Sequence, residues 1–170
     1  PGVTEFQVGD RVAYASAPLG SYSAVRPFPI QKLVKVPDDI SDDIAAAIML
    51  KGMTAEYLIR RTYKVMSGQT VLFHAAAGGV GLIACQWLKA IGATVIGTVG
   101  SHEKAALAKA NGCDHTILYT EENFVDKVKA ITDGKGVPVV YDSVGKDTAL
   151  NSLDCLSSLG LLVIFGNSSG

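Results

Sequence analysis

The sequence predicts an α/β fold on an open, doubly wound parallel sheet, and three observations carry that expectation. From about Gly68 onward, strand-like apolar runs alternate with longer helical stretches. Glycines sit at the joints, and one joint holds a glycine-rich loop between a strand and a helix. Residues 70–75 read as a buried first strand. A helix follows over Gly79–Ile91, with Val80, Ala84, Trp87, Leu88 and Ile91 on one apolar face and Gly92 as its stop. Residues 93–99 form the second strand, and 101–110 a helix closed by Asn111-Gly112. Residues 115–119 form the third strand, and 121–131 a helix whose leading Glu121 and Glu122 suit its N-terminal dipole. Val137–Asp142, a helix over 146–156 and a strand over 161–165 complete the series. Strands separated by helices must pair in parallel through crossovers, which gives the doubly wound class.

The chain before this series differs. Residues 8–12 and 20–36 read as short strands and turns, rich in Gly and Pro. Ser41 then N-caps a helix reaching about Leu50, with Asp42 and Asp43 in its first turn, and a second helix covers residues 54–64. Residues 1–40 are therefore expected to be the tail of a β-rich domain. Residues 41–170 are expected to be a helical link plus the doubly wound domain, incomplete at its C-terminal end. Pro1 opens the chain and the first Met is Met49, so an internal piece of a longer protein is expected.

Composition excludes several classes. Apolar residues make up 48% and charged residues 18%, the balance of a packed domain rather than a disordered one. A net charge of −1 leaves no basic footprint for nucleic acid or an anionic membrane. No apolar run approaches the roughly 18 residues of a spanning helix. Cys85, Cys113 and Cys155 are scattered, without C-x-x-C, which argues against a disulfide framework or structural zinc and suits the reducing cytoplasm.

The sharpest chemical signal is the run from His74 to Gly81, HAAAGGVG. Read as G-x-G-x-x-G, its positions are Ala76, Gly78 and Gly81, with Ala replacing the first Gly. A side chain at Gly78 would block a pyrophosphate, and one at Gly81 would push the helix off the strand. The amides of Gly79 and Val80 would then point at phosphates, where the helix dipole favours negative charge. A self-packed strand-to-helix turn is the plain alternative; the flanking strand, helix and second strand favour a dinucleotide site.

An NAD site places Asp or Glu about 20 residues past the glycines to bind the ribose 2′-hydroxyl. Here Val99-Gly100-Ser101 hold that place. Gly100 and Ser101 leave room for a 2′-phosphate, and Lys104, otherwise an ordinary solvated helix residue, supplies positive charge. Tyr119 either fixes the same phosphate or flanks the adenine. NADPH is thus the expected cofactor. Ser143 and Val144 after the fourth strand, and Phe165, Gly166, Asn167 and Ser168 after the fifth, should also border it, because ligands in such sheets bind at strand carboxyl ends.

The segments Leu50 to Ala55 (LKGMTA), His74 to Gly81, Tyr141 to Gly145 (YDSVG) and Phe165 to Gly170 (FGNSSG) resemble the zinc-free quinone oxidoreductases of the zeta-crystallin-like branch of the medium-chain dehydrogenase/reductase superfamily. The resemblance covers nearly the whole chain and implies a Rossmann domain preceded by the tail of a GroES-like catalytic domain. It implies hydride transfer from NADPH to a quinone, and a homodimeric parent. It also assigns the 2′-phosphate to Ser101, Lys104 and Tyr119, and brings Thr54 and Tyr57 toward the nicotinamide and its ribose. Where zinc-dependent relatives carry a cysteine ligand, this chain has Lys51, and a protonated Lys has no lone pair for a metal. His74, His102 and His115 read as boundary residues, so no metal is expected.

Other chemistries fail on spacing. Four residues after Tyr57, Tyr119 and Tyr141 come Arg61, Asn123 and Gly145, never Lys, and neither G-x-S-x-G nor a phosphate-loop motif occurs. No catalytic acid or base is nominated, since a quinone is already a strong electron acceptor; Asp142 reads as a cap for backbone amides. The alternatives are an NADPH-dependent reductase of enone or alkenal double bonds, and a cofactor-binding module. The piece alone is expected to be inactive, because the substrate wall should come from residues before it.

Overall fold

The computed structural model describes residues 2–16 and 18–170. The chain divides into two compact units, residues 1–53 and 54–170. In the first, β1 (Val12–Ala13) pairs antiparallel with β2 (Val34–Lys35). Arg11 donates to the Ile40 carbonyl at 2.6 Å and pairs with Asp42 at 2.6 Å, at the start of α1 (Asp42–Glu56). The amide of Ile44 donates to Ser41 Oγ at 3.4 Å, as an N-cap requires.

Two linking helices are expected, but α1 runs unbroken through Gly52 into a π-helical turn over Tyr57–Thr62. Gly52 serves packing here: a Cβ would lie 2.8 Å from Ile48 Cγ1. A single glycine costs a helix only about 1 kcal/mol, too little to stop it. Tyr141 secures the π turn. Its buried hydroxyl lies 3.2 Å from the Leu58 carbonyl and 3.3 Å from that of Tyr63.

The second unit is a five-stranded parallel sheet in the order β5-β4-β3-β6-β7. Its strands are β3 (Thr70–Phe73), β4 (Thr94–Val99), β5 (His115–Leu118), β6 (Val137–Asp142) and β7 (Leu156–Ile164). The intervening helices are α2 (Gly79–Ile91), α3 (His102–Ala110), α4 (Phe124–Ile131) and α5 (Ala149–Leu153). Strand order reverses between β3 and β6, which places a topological switch point beyond their carboxyl ends. Two buried clusters hold the layers. One joins α2 to one face of the sheet through Val71, Phe73, Leu88 and Val95, and the other gathers Leu72, Ile96, Ile117 and Val128 on the opposite face.

Several boundaries move. The first strand ends at Phe73, and residues 74–78 form a turn. The helix expected from Glu121 starts at Phe124, because Asn123 Oδ1 accepts from the amides of Val125 and Asp126. Glu122 pairs instead with Lys127 at 2.5 Å. The last helix shrinks to Ala149–Leu153, and β7 starts at Leu156. Its register slips between Val137 and Val139, at a bulge that includes Leu159 with φ 62°. Tertiary pairing with β6 thus overrides the helical pattern at Leu156.

The alanine in the first fingerprint position has a structural counterpart. A Cβ on Gly97, in β4, would lie 2.5 Å from Ala76 Cβ and 2.7 Å from Cys113 Sγ. Ala76 is fully buried, so its methyl occupies the space that Gly97 leaves free. Gly97→Ala should therefore lower stability by about 1–3 kcal/mol through overpacking. Adding Ala76→Gly should recover part of that loss and leave the conflict with Cys113. Thermal melts of the two variants check both outcomes.

Candidate functional site

The site begins at the turn between β3 and α2. Ala75 takes φ 53°, and the amide of Gly78 closes the turn on the Ala75 carbonyl at 2.8 Å. Gly78 is the N-cap of α2 and has no side chain to satisfy the first turn. The amides of Gly79, Val80 and Gly81 therefore lack acceptors within the helix, leaving donors where the dipole favours an anion. A Cβ on Gly81 would lie 2.5 Å from the Ala75 carbonyl oxygen and 2.6 Å from that of Ala76. Only glycine lets α2 approach the turn this closely.

Two adjoining hollows open beside this turn and share Tyr119, Val144 and Asp147. The first, about 330 Å³, is bordered by Gly78, Gly100, Lys104 and Ser168. The second, about 360 Å³, is bordered by Thr98, Phe124, Thr148 and Asn151. Either is large enough for part of a nucleotide. The loops after β6 and β7 close one side together. The amides of Ser168 and Ser169 donate to the carbonyls of Ser143 and Val144 at 3.1 and 2.9 Å.

The expected phosphate readers gather on the first hollow. Tyr119 is half exposed, and its hydroxyl lies 2.7 Å from where a Gly100 Cβ would be. Ser101 is the N-cap of α3 rather than its first residue; its Oγ accepts from the Lys104 amide at 3.2 Å and keeps its proton to donate outward. Lys104 is exposed and makes no ion pair among the described residues. Beside them His102 pairs with Glu121 at 3.2 Å.

Other expected residues lie around the hollows without lining them. Ala76 is buried, Phe165 packs its ring 5.8 Å from that of Phe73, and Ser143, Gly166 and Asn167 sit in the zipped loops. Thr54 and Tyr57 belong to the helical segment before β3 and line neither hollow. The lining residues that sequence reasoning missed include Ala75, Ala77, Asp147 and Ser169 on the first hollow, and Thr98, Phe124, Thr148 and Asn151 on the second. The alanines flank fingerprint positions and were within reach. Nothing in the sequence marks Asp147, an exposed carboxylate on both hollows.

Beneath the hollows lies a buried polar network. Asp142 has no exposed surface; its Oδ1 accepts from the amides of Val144 at 2.8 Å and Gly145 at 3.0 Å, and its Oδ2 from the Thr148 hydroxyl at 2.7 Å. It caps amides, as its place at a strand end suggested. His74 is also fully buried, with Nδ1 2.8 Å from Thr98 Oγ1 and Nε2 2.9 Å from Ser152 Oγ. Burial pushes its pKa down to about 4, against the opposing pull of the nearby Asp142 carboxylate. His74 is therefore neutral at pH 7 and far from a bland boundary residue. Among the described residues, no three His, Cys, Asp or Glu side chains gather to hold a metal ion. No described helix is long and apolar enough to cross a membrane.

Fold and cleft together define a doubly wound domain of Rossmann type, open at its switch point. Residues 79–170 match the family described as zinc-binding dehydrogenase, and the chain belongs to that family, within the medium-chain dehydrogenase/reductase superfamily. It is 60% identical to a quinone oxidoreductase of Pseudomonas aeruginosa over 99% of its own length and 52% of that protein. It is 54% identical to a 2-haloacrylate reductase of a Burkholderia species, over 100% of the chain and 52% of the relative. Its structure matches that of an Escherichia coli quinone oxidoreductase complexed with NADPH, with a TM-score of 0.96 at 54% identity, covering 99% of this chain and 52% of the other. The chain thus spans about half the length of these relatives.

The depressed pKa of His74 has a measurable sign. Between pH 6.5 and about 4 the unfolded state binds the proton and the folded state resists it. The folded chain should then lose up to about 1.4 kcal/mol per pH unit on acidification, a loss that levels off below that window. Urea titrations from pH 7 to 4 check this, and His74→Gln should flatten the slope.

Proposed function

We propose that this chain is the nucleotide-binding part of an NADPH-dependent quinone oxidoreductase. The carrying observation is the near-superposition on the NADPH-complexed E. coli enzyme, in a chain whose β4 ends in Val99-Gly100-Ser101 with no carboxylate. The residues fit the cofactor. Gly78 borders the hollow without a side chain, next to the amides of Gly79, Val80 and Gly81, and those amides suit a pyrophosphate. Ser101, Lys104 and Tyr119 would hold the 2′-phosphate beside Gly100. Ser143, Val144, Phe165, Gly166, Asn167 and Ser168 would frame the cofactor from the loops after β6 and β7, and Thr54 and Tyr57 its nicotinamide end.

When bound, NADPH would supply a hydride from C4 of its nicotinamide. What this chain does is bind and orient: it neutralises phosphate charge and supplies the walls of the cleft. In this reading no metal takes part, since Lys51 stands where zinc-dependent relatives carry a ligand. Residues 1–40 are read as the tail of a GroES-like domain and 41–170 as link and Rossmann domain. The whole protein is read as a cytoplasmic homodimer. A second substrate class is favoured by the 54% identity to 2-haloacrylate reductase, because an acrylate is an electron-poor alkene, as enones and alkenals are.

Calorimetry with NADPH and NADH on the chain and on Lys104→Ala tests the reading. NADPH should bind more tightly, and the variant should lose about tenfold in NADPH affinity while leaving NADH unchanged. Equal affinity of the chain for both cofactors would remove Lys104 from the site. In the full-length protein, steady-state rates with a benzoquinone against an enone and a 2-haloacrylate separate the two substrate classes.

A further inference from the structure

One buried imidazole bridges several of the elements beneath the cleft. His74 directly precedes the glycine turn, and its amide donates to the Tyr141 carbonyl at 2.9 Å, tying the end of β3 to β6. Its ring reaches Thr98 on β4 and Ser152 on α5, and meets the Phe124 ring edge-on at 5.1 Å. Proton counting orders the network. The Ser152 hydroxyl has one hydrogen; assigned to its nearest acceptor, the Thr148 carbonyl at 2.8 Å, rather than to Asp142 Oδ2 at 3.5 Å, it leaves Ser152 Oγ to accept from His74 Nε2–H. His74 Nδ1 is then the unprotonated nitrogen, and the Thr98 hydroxyl donates to it. The chain continues from the Thr148 hydroxyl to Asp142, whose other oxygen holds the amides of Val144 and Gly145.

Each end of this chain is a wall of the cleft. Val144 borders both hollows, and Thr98 and Thr148 border the second. Asp142 is a buried carboxylate without an ion pair among the described residues, held by hydrogen bonds alone. Such a group favours one arrangement of its donors strongly, because any lost bond leaves a charge underserved in a low-dielectric interior. An apolar side chain in place of the imidazole would fill the space, but it would leave the Thr98 hydroxyl without its acceptor and Ser152 Oγ without its donor.

We infer that His74 is a positioning residue for the cofactor cleft, bridging Thr98 and Ser152 so that the end of β4 and the Asp142-anchored turn at Val144 stand at a set separation. This inference rests on the NADPH reading above. It assigns His74 a role without contact to the cofactor and without proton transfer.

His74→Gln and His74→Leu separate bonding from volume. An amide has a donor and an acceptor spaced much as the two ring nitrogens are, so Gln can restore both bonds and Leu neither. By calorimetry in the full-length protein, His74→Leu should weaken NADPH binding about tenfold or more, and His74→Gln should stay near the parent. Hydrogen exchange at the amides of Val144 and Gly145 should quicken in His74→Leu alone. The inference is overturned if Gln is as defective as Leu, or if Leu keeps parental affinity and exchange while only its melting temperature falls. Should the parent bind no NADPH, the cofactor reading fails. The exchange comparison then decides the bridge: quickening confined to Leu supports it, and unchanged exchange overturns it.

Discussion

The approach of α2 to the turn after β3 is the constraint on which the rest of the structure depends. Gly81 lies so close to the carbonyls of Ala75 and Ala76 that no Cβ fits between them. That contact sets the height of the helix over the sheet and aims its first amides along the switch point. It also forces a choice at Ala76, whose methyl has nowhere to go except the space left by Gly97 on the neighbouring strand. A departure from the usual glycine in one element is thus absorbed by a glycine in another, far away in sequence and adjacent in space. Close packing leaves few other ways to make that exchange.

Below the turn, the sheet end is organised by hydrogen bonds rather than by ion pairs. Asp142, Thr148, Ser152, His74 and Thr98 form one satisfied network, and no described buried side-chain polar atom lacks a partner. Apolar groups of similar shape could fill the same volume with similar stability. What they could not do is fix the orientation of the Val144 turn, which the carboxylate of Asp142 holds through two amides. The charge that faces the opening is arranged differently. Lys104 stands exposed and without an ion pair among the described residues, with Ser101 capping its helix and the Tyr119 hydroxyl beside Gly100. A buried layer that positions and an exposed layer that attracts are distinct jobs, met by different side chains.

Much of the fold was legible because its signals are local. Apolar runs separated by glycine joints identify strands and crossovers, and the strand, turn and helix around HAAAGGVG identify the switch-point loop. The misreadings share a cause. Gly52 resembles a break, yet packs against Ile48 in a continuous helix; Leu156 fits a helical face, yet pairs with Val137 on the sheet. In each case a partner distant in sequence or on the next turn outweighed a weak local preference. His74 was undervalued for the same reason, since its partners are Thr98 and Ser152, and nothing in the residues beside it names them.

The sequence by itself determined the doubly wound class, the position of the glycine turn, and the absence of a carboxylate where β4 ends, because each follows from neighbours along the chain. Only the tertiary structure decided the order of the strands, the exchange between Ala76 and Gly97, the placement of Asp147 on both hollows and the network through His74. Those features depend on which side chains meet across the parallel sheet. Parallel pairing joins residues that crossovers hold far apart in sequence, and spacing along the chain carries no record of those meetings.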